Sequence, residues 1–168
     1  ITVGKSYLDV REALDELGVD EKRANQLGIR LFKVACPWPL DLEHIKEFAR
    51  GLDTIVVVEE KRSLIEVQVR EDLYGTANQP TVVGKKDERG GWLFAVKGAL
   101  DPNDIAIGSG ERIVKVIGPS EEIEARVKQM RQFQAMLSDT KDVAVRIPYF
   151  CSGCPHNTST RVPDGSLA

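Results

Sequence analysis

Residues 54–58, Thr-Ile-Val-Val-Val, form an unbroken β-branched and apolar run that ends in Glu59, Glu60 and Lys61. A short run without alternation describes a strand buried on both faces, and parallel sheets covered by helices supply that environment. The charges at its end mark where such a strand leaves the core. In open parallel sheets, sites and interfaces form at the carboxyl ends of the strands. The chain is therefore read as a sheet centred on this run, with helices on either side of it in sequence.

The flanking segments agree with that reading. Residues 1–4 read as a strand end and a turn. Ser6 and Asp9 stand at capping-box spacing, and Val10, Ala13, Leu14 and Leu17 recur at helical spacing before Gly18. A weaker helical piece covers 20–27, and the alternating residues 29–35 read as a strand that Pro37 and Pro39 break. Asp41 caps a helix whose face carries Leu42, Ile45, Phe48 and Ala49. After the central run, Ser63 and Glu66 suggest a second capping box for a helix over 64–74. Residues 81–85 are a short strand. Asp101 followed by Pro102 starts another helix, expected to be short because Gly108 and Gly110 weaken it; Gly108-Ser109-Gly110 reads as a turn. The longest helix is expected over about 121–137, with Ile123, Val127, Met130, Phe133 and Leu137 as its apolar stripe. Residues 143–148 are read as extended, and 149–168 as a tail that needs neighbours to fold. Strands and helices that alternate at this spacing imply βαβ units, hence an α/β fold on a mostly parallel sheet with right-handed crossovers.

At 168 residues the chain allows one ordinary domain with an appendage. Twenty-six acids stand against 23 bases, well interspersed, for a net charge of -3. That balance argues against a nucleic-acid partner, which calls for a basic excess. No apolar stretch approaches the roughly 20 residues that span a bilayer, so no membrane partner is expected. The opening residue Ile1 reads like the inside of a strand and suggests a piece of a longer polypeptide. Three cysteines do not suit a secreted disulfide framework, and a cytoplasmic location is expected.

Chemistry-bearing residues are few. Cys151 and Cys154 are separated by two residues, which brings both sulfurs to one side of a turn; the same spacing serves zinc, an iron–sulfur cluster or a dithiol redox pair. One pair offers two ligands where a closed site needs about four. A small metal- or redox-regulated binding module built on this pair is thus one functional reading. His156 adjoins the pair. Cys36 is read as a small buried hydrophobe and His44 as an ordinary helix residue. Glu59 and Glu60 point to opposite faces and make no matched carboxylate pair; a rim position beside Lys61 or Arg62 is expected. Gly4-Lys5-Ser6 only faintly echoes a phosphate loop. Trp38, between two prolines, is read as a domain-contact anchor or as a core or lid residue. No catalytic constellation is complete, and no catalytic or cofactor-binding residue is assigned.

Taken in order, Gly4-Lys-Ser-Tyr-Leu-Asp-Val-Arg-Glu-Ala-Leu14, Gly28-Ile-Arg-Leu-Phe-Lys-Val34, Pro37-Trp-Pro-Leu-Asp41, Val57-Val-Glu-Glu-Lys61 and Pro148-Tyr-Phe-Cys-Ser-Gly-Cys-Pro-His-Asn157 resemble the thiamine-diphosphate-dependent 2-oxoacid:ferredoxin oxidoreductases, in particular the indolepyruvate branch in its long bacterial form. The resemblance implies that residues 1–140 are the transketolase C-terminal-like domain, a three-layer α/β/α unit between two thiamine-binding domains. Residues 141–168 would be a linker and the start of the diphosphate-binding domain. The region would act as a scaffold and interface module, with thiamine diphosphate and magnesium held by its neighbours. Cys151 and Cys154 would ligate an iron–sulfur cluster in the parent only. The implied parent reaction is oxidative decarboxylation of an aryl pyruvate to its acyl-coenzyme A, with ferredoxin as electron acceptor. Homodimerisation of the parent is left open, and the isolated fragment is expected to be inactive.

Overall fold

Four short strands, all paired in parallel, carry the centre of the chain. The structure, a computed structural model, describes residues 1–138, 149–162 and 165. Ile1–Ala135 form one compact unit and Met136–Ala168 a second. In the first, β1 (Thr2–Val3) pairs with β2 (Lys33–Val34), and β3 (Thr54–Val56) with β4 (Thr81–Val83). A parallel bridge between Thr2 and Val58 joins the two pairs in the order β2-β1-β3-β4. Val58 N–H donates to the Ile1 carbonyl at 2.9 Å, and Val57 N–H to the Val83 carbonyl at 2.8 Å. The helices are α1 (Ser6–Glu16), α2 (Glu21–Gln26), α3 (Leu42–Ala49), α4 (Ile65–Leu73), α5 (Pro102–Ile117), α6 (Glu121–Ser138) and α7 (His156–Ser159).

Side-chain alternation along the central run divides the core. Ile55 and Val57 join Ile45 and Ala49 of α3 and Ile65, Val69 and Leu73 of α4. Val58, with the partly buried Val56, joins Val10, Ala13 and Leu14 of α1, Ile105 and Ala106 of α5, and Ile123 and Val127 of α6. Successive strand residues point to opposite faces, so the two clusters lie on opposite sides of the sheet. This is the environment expected of an unbroken apolar strand. The chain steps outward from β1 to β2 and then back past β1 to β3. With right-handed crossovers, that reversal puts α1 on one face and α3 and α4 on the other, and it leaves a switch point at the carboxyl ends of β1 and β3.

Several local expectations are corrected. Residues 29–35 contribute only a two-residue ladder. Ser6 is the first residue of α1, not its cap; the Asp9 carboxylate takes the Lys5 ammonium at 2.6 and 2.7 Å instead of reaching back to the backbone. The helix after Pro102 is 16 residues long, and Gly108 and Gly110 lie inside it. They are there for packing. A Cβ on Gly108 would meet the Phe94 ring at 2.9 Å, and one on Gly110 would meet Val127 at 2.5 Å and Leu17 at 2.9 Å. Of the apolar stripe on α6, Ile123 and Val127 are buried while Phe133 is 59% exposed. The reading of residues 143–148 as extended, and of a boundary at 140, lies outside the described residues. Elsewhere Asp41 and Asp101 cap their helices as the sequence suggests, through the N–H groups of His44 and Asn103, and Asp20, read as the first residue of its helical piece, caps α2 through Arg23 N–H. Among the described residues no helix is long and apolar enough to cross a membrane.

Candidate functional site

An open cleft of about 1120 Å³ lies at the carboxyl ends of β3 and β4, lined by residues 60–63, by α4 and by the loop after β4. Next to its lining residue Glu60 is the buried Glu59, the residue that ends the apolar run. The local chain explains its placement. α4 begins at Ile65 behind Leu64, a residue with no capping side chain. The first N–H groups of a helix need acceptors, and Glu59 supplies them. One carboxylate oxygen accepts from Leu64 and Ile65 N–H, both at 2.9 Å, and the other from Glu66 N–H at 3.0 Å. A carboxylate there also meets the positive end of the helix dipole. Glu59 is 4% exposed, so its expected rim position beside Lys61 or Arg62 is corrected: it is a buried helix cap.

The groups around it are similarly committed. Glu66 accepts from Ser63 Oγ at 2.8 Å, from Lys85 N–H at 3.0 Å and from Arg70 at 2.7 Å. The sequence-expected capping box of Ser63 and Glu66 is thus a side-chain contact between the two, and the backbone capping falls to Glu59. A Cβ on Gly84 would collide with the Glu66 carboxylate, so glycine at 84 makes room for it. Lys85 is 5% exposed; its ammonium donates to the carbonyls of Glu59 and of Ala95, the latter at 3.1 Å. Burial pushes this ammonium below its ordinary value, against the pull of Glu59 and Glu66. Lys85 thereby ties the loop that carries Trp92 to the end of β3.

On that loop Glu88 takes Lys115 at 2.5 Å and Arg112 at 2.6 Å. The Lys115 bond, the local backbone and then Arg112 hold its carboxyl down at about 2. A carboxylate depressed in the fold adds stability that is fully present above its unfolded value near 4.5 and is lost as pH falls toward 2. Urea midpoints measured from pH 5 to pH 2 are expected to fall less steeply in Glu88→Gln than in the unaltered chain; identical slopes would contradict this assignment.

The other candidates are placed as follows. Cys36 is exposed, not buried, with its thiol 3.3 Å from the Trp38 carbonyl. It lies past the end of β2, where the chain has already left the core. Trp38 is 67% exposed. His44 is an exposed helix residue, and Asp41 beside it at 2.7 Å raises its proton affinity. Lys5 of the faint phosphate echo is engaged by Asp9. In the second unit Cys151 is exposed and Cys154 half-buried. Cys154 N–H donates to the Cys151 carbonyl at 3.0 Å, which makes the turn, and Gly153 takes the positive φ of 78° that the turn requires. Cys154 Sγ lies 3.2 Å from His156 Nδ1, at the start of the single-turn α7. Among the described residues no group of three or more His, Cys, Asp or Glu side chains is arranged to hold a metal ion.

A parallel sheet between helices, its carboxyl edge held by buried carboxylates and ion pairs, with a two-cysteine turn in a separate unit, defines an α/β domain. The family model described as "Indolepyruvate oxidoreductase domain" matches residues 1–137. The chain belongs to that family. It is 26% identical over 164 residues to the indolepyruvate oxidoreductase subunit IorA of Pyrococcus abyssi, with 95% of this chain and 21% of the relative covered. It is likewise 26% identical to IorA of Thermococcus kodakarensis over the same shares, and 27% identical to IorA of Archaeoglobus fulgidus over 95% of this chain and 22% of the relative. The chain therefore spans about a fifth of the length of these curated relatives. No solved structure matches it.

Proposed function

We propose that the chain is a scaffold and interface domain of an indolepyruvate (2-oxoacid) ferredoxin oxidoreductase. In this reading it has the three-layer α/β/α build of a transketolase C-terminal domain, and it holds no reacting group of its own. The observation that carries the proposal is the family match over residues 1–137. It is supported by the state of the carboxyl edge, where an open parallel sheet would place a site: Glu59, Glu66, Lys85 and Glu88 each already serve a structural bond there. The bound cofactors belong to the parent. There, thiamine diphosphate with magnesium would supply the decarboxylation chemistry, with coenzyme A as the acyl acceptor and an iron–sulfur cluster as the route of electrons to ferredoxin.

The residues of this chain fit only half of a cluster site. Cys151 and Cys154 put two thiols on one turn, as thiolate ligation requires. The two further ligands that complete a set of about four come from other parts of the parent. The test uses the full-length subunit with its partners. Indolepyruvate-dependent reduction of ferredoxin is expected, and Cys151→Ser together with Cys154→Ser should lower bound iron while leaving the urea midpoint of the 1–135 unit within about 0.5 kcal/mol in free energy. A full-length protein that does not oxidise 2-oxoacids, or a double variant with undiminished iron, would overturn the respective parts of the proposal.

A further inference from the structure

The cleft rim carries more exposed apolar surface, and more unpaired positive charge, than its structural bonds explain. Trp92 is 66% exposed, Val67 55% and Val96 37%, and all three line the same cleft. Such surface, when contiguous and rimmed by charge, marks an interaction site. The charges around it do not balance once their partners are counted. Glu59 is buried as a cap, Glu66 is matched by Arg70, and Glu88 by Arg112 and Lys115. Asp87 accepts from the N–H groups of Arg89 and Gly91. Lys61, Arg62 and Lys86 line the cleft, and among the described residues none has a carboxylate within ion-pair distance. Lys86 rests instead over the Trp92 ring, 5.1 Å from its centroid. Glu60 and Asp87 are the acids of the rim that no cation pairs among the described residues. Lys61 holds a left-handed backbone, φ 55°, a conformation a non-glycine residue adopts at a cost.

We propose that this rim is the face on which the rest of the oxidoreductase subunit docks, through a surface that is apolar at its centre and acidic at its edge. The inference rests on the domain reading above and adds the face and the chemistry of its counterpart. The occupant follows from length and charge: the curated relatives are almost five times as long as the matched region, and three cations without an ion pair against the two carboxylates of Glu60 and Asp87 leave a positive excess that favours a negative counter-surface. Trp92 would be the buried anchor, since aromatic side chains at the centre of an interface carry most of its energy.

Hydroxyl-radical footprinting of the full-length subunit, read by mass spectrometry, tests this. At 66% exposure an undocked Trp92 is oxidised within about twofold of its rate in the same chain unfolded in urea; docked, it is expected to be at least about tenfold slower. Lys61→Glu with Arg62→Glu, both exposed and outside every bond described above, should raise Trp92 oxidation several-fold in the native subunit. Trp92 that reacts natively as in urea would overturn the docking face, and unchanged protection in the double variant would overturn the acidic counter-surface. Neither readout depends on turnover, so a subunit inactive on 2-oxoacids can still support or refute the docking face.

Discussion

Glu59→Ala is expected to lower the unfolding free energy by about 2–5 kcal/mol, a large share of the roughly 5–15 kcal/mol that stabilises a domain. Three α4 N–H groups lose their acceptor at once. Leu64 is 46% exposed and its amide can turn to water, but Ile65 and Glu66 are 1% and 6% exposed, so their amides lie among buried groups. Each stranded buried donor costs about 1–3 kcal/mol. Glu59→Gln keeps an acceptor but removes the charge that meets the helix dipole, so about half of the loss should return. Urea unfolding gives both values, provided the m-value is unchanged. A loss below about 1 kcal/mol for the alanine variant would mean that α4 is capped by something else.

Gly110→Val is expected to cost about 3 kcal/mol, chiefly by forcing α5 away from α1 and α6. The first added carbon already lies 2.5 Å from Val127 Cγ2 and 2.9 Å from Leu17 Cδ2. Leu17 is fully buried and Val127 is 7% exposed, so an added side chain must displace packed neighbours to fit. Removing a helical glycine returns about 1 kcal/mol of backbone entropy to the folded state. Overpacking exceeds that gain here because the contact is far inside van der Waals distance. Pairing the change with Val127→Ala should recover part of the loss, since the two sites share one space. Gly110→Val as stable as the unaltered chain would refute the close approach of these three helices.

The two positions show what the sequence could and could not disclose. The doubly buried run at 54–58 was legible because burial on both faces leaves no polar residue to interrupt it, and the structure places its alternating side chains in two separate cores. The aspartate caps were legible because cap and helix are adjacent in sequence. Glu59 was not: it caps a helix that starts six residues later, and Ser63 with Glu66 offered a local signature that the fold uses otherwise. The one available signal was negative, a helix start at Leu64 without a capping side chain. Gly108 and Gly110 were misread for a different reason. A glycine that weakens a helix and a glycine that lets another helix approach look the same until the neighbour is known. Residue type alone suggests a buried Cys36, while the two prolines beyond it take the chain to the surface. The Cys151 and Cys154 turn was readable from spacing alone; in the proposed reading the ligands that complete a cluster come from other segments.

In the proposed reading, a self-supporting α/β core receives its reacting groups from flanking polypeptide. Dye reduction by purified residues 1–168, supplied with thiamine diphosphate, magnesium, indolepyruvate and coenzyme A, measures it most directly. A cooperatively unfolding protein whose dye reduction stays at the rate of the protein-free mixture is expected. Sustained 2-oxoacid-dependent reduction by that folded fragment would contradict it.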